Sequence, residues 1–138
     1  MKAFKSTLIL FLITISLYAL GTGIEYALSL YKNNKLSQNE TALKELKTQA
    51  LSGNINAAFL LATAYKNGKL GKVDLEKSYY WYKQAALHGD GDAMLMLGWL
   101  HYKGSPHIAV NIKKAKFWFK QAAALGVDEA IDMLELLQ

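Results

Sequence analysis

WYKQAALHG at residues 81–89 and WFKQAAALG at residues 118–126 are one phrase written twice. Six of the nine positions are identical, and Tyr82 against Phe119 is a conservative exchange. The echo widens on both sides. Gly53-Asn54-Ile55-Asn56-Ala57 aligns with Gly89-Asp90-Gly91-Asp92-Ala93 and then with Gly126-Val127-Asp128-Glu129-Ala130, at steps of 36 and 37 residues. A period of that size signals stacked two-helix units. Within each unit AAFLLATAYKNG (57–68) matches AMLMLGWLHYKG (93–104), and VDLEKSYYWYKQAALHG (73–89) matches VNIKKAKFWFKQAAALG (110–126).

A helical hairpin explains the recurring letters. Ala57, Leu61 and Tyr65 are spaced four apart and share a helical face, as do Ala93, Leu97 and His101. Small residues at Ala57, Ala62, Ala93 and Gly98 let neighbouring helices approach closely. Gly68 and Gly104 suit the end of each first helix. Asp74 and Asn111 suit the N-cap of each second helix, because a short polar side chain can accept from an orphan amide. Trp81 and Ala85, like Trp118 and Ala122, face the first helix. Both tryptophans are therefore expected to be structural.

The full pattern, A-x-x-x-L-[GA]-x-x-[YH]-x-x-G followed by V-[DN]-x-x-K-[AS]-x-x-W-[YF]-K-Q-A-A-x-x-G, resembles the Sel-1-like repeat, a longer relative of the tetratricopeptide repeat. The resemblance covers roughly Thr41 to Gln138. It implies an all-α fold, a short α-solenoid preceded by an N-terminal hydrophobic helix. The expected divisions are a half-repeat at 39–53, repeats at about 54–89 and 90–126, and a closing helix at 127–138. The hairpin loops depart from the family pattern. Gly71 and Val73 are displaced, Ser105-Pro106-His107 is inserted, and His101 stands where Tyr is usual.

The N-terminal segment reads differently. Lys2 and Lys5 precede an uncharged run from Ser6 to Ile24, whose strongly apolar part is Leu8 to Leu20. Residues 1–31 are expected to be either a signal peptide cleaved after Gly21 or an uncleaved membrane anchor through residues 6–31. Both readings hold the N-terminus inside and send the rest of the chain out, giving a cell-envelope localisation, inner-membrane anchored or exported. KNNKLSQ (32–38) lacks helical periodicity and is expected to be a polar linker, with the domain at 39–138.

Chemistry is sparse. Cysteine is absent, so disulfides, thiolate metal sites and cysteine nucleophiles are excluded. All 16 basic residues are Lys, so the net charge of +5 comes without the Arg that forks onto phosphate and guanine, and no nucleic-acid partner is expected. No phosphate loop, nucleophile elbow or zinc motif appears. His88 reads as a surface residue, His101 as a packing residue and His107 as part of the inserted loop. No catalytic residue, cofactor or metal is expected.

A binding scaffold needs a surface. Successive first helices of such a solenoid line its concave side. With Ala57, Leu61 and Tyr65 turned inward, Leu60, Thr63 and Asn67 turn away, and so do Met96, Trp99 and Lys103, with Tyr102 beside them. Trp99 stands where the first unit has Thr63, and that change of volume reads as a surface varied unit by unit. These seven residues are the expected partner-binding set, for a protein partner. With the outward orientation of the N-terminal segment, the expectation is an extracytoplasmic interaction scaffold, and the resemblance implies roles such as an envelope adaptor or a toxin-immunity protein. The alternative is a structural membrane component whose N-terminal helix packs with other spans.

Overall fold

The computed structural model describes residues 23–138. It opens in helix α1 (residues 23–32), followed by a 3-10 turn at Leu36–Gln38. Six helices follow: α2 (Glu40–Leu51), α3 (Ile55–Lys66), α4 (Leu75–Leu87), α5 (Gly91–Lys103), α6 (Ile112–Ala124) and α7 (Asp128–Leu136). Each packs on its sequence neighbour, so α3 lies between α2 and α4, and α5 between α4 and α6. This is the expected all-α solenoid.

The capping residues set the punctuation. The side chains of Asn39, Asn54, Asp74, Asp90 and Asn111 each accept from the amide three residues on, which begins α2 to α6. Gly53, Gly89 and Gly126 follow the second helices at φ 92°, 93° and 82°. There the next amide reaches back to Gln49, Ala85 and Ala122, closing three equivalent Schellman turns. Identical turns give identical exit angles, so the units stack.

Two expectations are corrected at the N-terminal end. Residues 32–38 do not form a free polar linker, because Leu36 is wholly buried. Residues 23–31 are also part of the domain. Ala27 is wholly buried, and Ile24, Leu30 and Tyr31 pack on the core. Helix α1 ends as α3 does. Asn34 takes φ 57° where Gly68 takes φ 70°, and Lys35 N donates to Leu30 O as Lys69 N donates to Ala64 O. YKNN (31–34) is thus the counterpart of YKNG (65–68). Helices α1 and α2 together make a first, degenerate unit, where a half-repeat was expected. The signal-or-anchor reading of residues 1–22 lies outside the described residues. Among those described, no helix is long and apolar enough to cross a membrane.

At the other end α7 is a first helix whose surface breaks the pattern. Its Glu135 occupies the position of Ala62 and Gly98, which are buried. A Cβ on Gly98 would lie 2.4 Å from the Phe119 ring. A second-helix aromatic cannot seat in that way against Glu135.

His101 sits within the last hairpin, buried and with Nε2 3.3 Å from the Tyr79 hydroxyl. Burial pushes its imidazole below the ordinary range. Lys114 adds to that, and the Ala109 carbonyl opposes it. A depressed folded value means that the unfolded chain binds the proton first. Stability is therefore expected to fall as pH drops through the ordinary histidine range. Thermal melts at neutral and mildly acid pH check this. His101→Tyr, which restores the residue found at Tyr65, should flatten the dependence.

Candidate protein-binding surface

Two grooves open along the first helices. The first, of about 410 Å³, is lined by Lys66 of α3, Leu75 and Tyr82 of α4, Met96, Trp99 and Lys103 of α5, and Glu129 of α7. The second, of about 380 Å³, is apolar and is formed by Ile24, Leu28 and Tyr31 of α1 with Asn56, Phe59, Leu60 and Thr63 of α3. Sequence reasoning missed the α1 wall altogether, having placed that helix in the targeting segment.

The seven expected residues fare differently. Leu60 lies deeper than expected: it is only 7% exposed and packs in the core, while still lining the second groove. Helix α3 is gripped from both sides, by α2 and α4, so its buried arc is wider than one apolar stripe. Thr63 is half-buried, with its hydroxyl 3.1 Å from the Tyr82 hydroxyl. Asn67 is exposed and donates from Nδ2 to the Tyr31 hydroxyl at 2.9 Å, tying α3 to α1. Met96 is half-buried on the floor of the larger groove, and Lys103 is exposed on its rim. Tyr102 lies edge-on to Trp99, with ring centroids 5.6 Å apart.

The size of Trp99 answers to its neighbours within the fold. Its ring packs edge-on to Phe119 at 5.9 Å, and its Nε1 donates to Glu129 Oε1 at 2.9 Å. It ties α5 to both α6 and α7. The exchange of Thr63 for Trp99 is matched by that of Tyr82 for Phe119. In the first unit a buried phenol finds a hydroxyl partner. In the second the ring has no hydroxyl, and an indole covers it. The difference in volume is compensated within the fold, so it is no mark of a surface by itself. Trp99 nevertheless keeps a face on the groove.

A further recess carries titratable side chains. Glu76, Tyr79, His101, His107, Asn111 and Lys114 meet around a recess of about 350 Å³. Among the described residues no group of three or more His, Cys, Asp or Glu could hold a metal ion. His88 is exposed, with Nδ1 2.9 Å from the Gln84 carbonyl, and His107 is exposed in the loop.

Stacked helical hairpins with open grooves along their first helices define a repeat scaffold. The Sel1 repeat model matches residues 55–90 and 91–127, more than half of the chain, and the chain belongs to the Sel1 repeat family. A Sel1 repeat protein from Oxalobacter formigenes, known from its crystal structure, is similar at a TM-score of 0.71 and 28% identity. The likeness covers 81% of this chain and 44% of that one, so the chain spans less than half of that protein's length. No curated protein matches the chain. Sel1 repeats commonly mediate protein–protein interaction, and proteins built from them are generally non-catalytic scaffolds.

Proposed function

We propose that this chain is an extracytoplasmic protein-binding scaffold, anchored by its N-terminal apolar run or exported through it, that holds a partner segment along its first helices. The observation that carries the reading is the groove between α3 and α5. Its floor presents Met96 and part of Trp99, an adaptable thioether beside a residue type enriched in binding hot spots. Lys2 and Lys5 ahead of the apolar run support the outward orientation. Such a protein acts by occupying its partner's surface, as an envelope adaptor or an immunity protein does.

The test pairs thermal melting with capture of the partner that co-purifies with the full chain. Met96→Asp, at a half-buried groove position, is expected to keep most of the stability and to weaken capture by at least about 2 kcal/mol, the hot-spot scale. Trp99→Ala should lower both, since it also holds α7. Undiminished capture by a folded Met96→Asp protein would move the interface elsewhere. A reporter that is active only outside the cytoplasm, fused after Gln138, tests the orientation; an inactive fusion sinks it.

A further inference from the structure

The two lysines on the larger groove have only weak partners. Lys66 Nζ lies 3.6 Å from the Met96 sulfur, and Lys103 Nζ lies 4.6 Å from the centroid of the Trp99 ring. Among the described residues neither ammonium has a carboxylate within 4 Å, and the ion pair is Lys77 with Asp74. A thioether and an indole face are poor substitutes for an anion. The groove thus holds two cations over an apolar floor of Leu75, Met96 and Leu100. Its one carboxylate, Glu129, is held by the Trp99 indole.

We propose that this groove takes an acidic peptide segment of a partner protein. An apolar side chain seats on Met96 and Leu100, and carboxylates on either side of it reach Lys66 and Lys103. The proposal deepens the reading of this face as a protein-binding surface, and rests on it. Lys66 Nζ meets α5 at Met96, and Lys103 Nζ lies back over Trp99, three residues further along that helix, so both ammonium groups border the same short stretch of the groove. Glu129 favours a peptide over a phosphate polymer, because its free acceptor positions suit a backbone N–H and repel a continuous polyanion.

The probes are two fluorescent peptides of equal length with the same central Phe. One carries Glu on both sides, and the other carries Gln in their place. Binding to the full chain in non-ionic detergent is followed by anisotropy at low and raised ionic strength. The Glu peptide is expected to bind roughly tenfold more tightly at low salt, the scale of one or two charge-assisted contacts. The margin should narrow as salt screens the pairs. Lys66→Met with Lys103→Met, shown to be folded by its melt, should bind both peptides alike, and Lys66→Arg with Lys103→Arg should keep the preference. Equal binding by the parent, no binding of either peptide, or an unchanged preference in the double Met variant overturns the proposal. The reading beneath it is judged separately. If Met96→Asp loses the captured partner while the double Met variant keeps it, the binding face stands and the acidic partner falls.

Discussion

A chain shortened to begin at Gln38 will lose most of the cooperative melt shown by one that begins at Gly23. The shorter chain starts close to the boundary that composition alone suggests, just before the N-cap Asn39. It discards α1 and Leu36. Leu36 and Ala27 are wholly buried, and Ile24, Leu30 and Tyr31 cover part of the same core. A fully buried Leu is worth roughly 1.5–3 kcal/mol, so the segment contributes on the order of 5 kcal/mol before ordering costs. That is comparable to the whole stability of many small domains. The loss would also uncover Gln49, which is 5% exposed and lies against Gly23 in the intact unit. Circular dichroism melts of the two chains decide the matter. If both melt alike, α1 is an accessory and the domain begins at α2.

The stacked fold was legible because its punctuation is chemical. Each second helix ends at a glycine that the Schellman turn requires, and each begins at a short polar cap. Those letters recur at fixed intervals whatever lies between them. The same signal stood one step further toward the N-terminus, in YKNN against YKNG. It was hidden by two things. Asn replaces Gly at the left-handed position, which Asn tolerates better than most residues. The apolar run that precedes α1 also drew the helix into a targeting reading. An anchor and a first repeat helix both demand apolar residues, and composition does not separate them.

The candidate surface was legible only in part. Met96 and Lys103 reach the groove because one helical face opposes another, a matter of periodicity. Leu60 lies deeper than expected because the periodicity of a single helix does not reveal how many neighbours it has. The packing role of Trp99 was hidden for a related reason. Its size makes sense only against Phe119, twenty residues away, just as Thr63 makes sense only against the hydroxyl of Tyr82. Lys66 was missed entirely. It aligns with Tyr102, so nothing in the repeat marks it, and only the folded groove brings it to Met96.

The two tryptophans of the repeated phrase should part company on truncation. Trp81 is 7% exposed and belongs to the main core, which extends from α1 to Ile108 beyond α5. Trp118, its counterpart, is only half-buried and packs at the margin of that core. The same letter of the motif thus has a different depth in each unit. Trp81→Ala is expected to cost about 3–5 kcal/mol, the range for deleting a buried large aromatic. Trp118→Ala leaves less of a cavity and returns less surface to water, so its cost should be roughly half as large. Urea denaturation of both variants beside the parent provides the comparison. Its midpoints carry the answer, provided the slopes agree. Equal losses would mean that the repeat motif itself, and not the depth of each tryptophan, sets its worth.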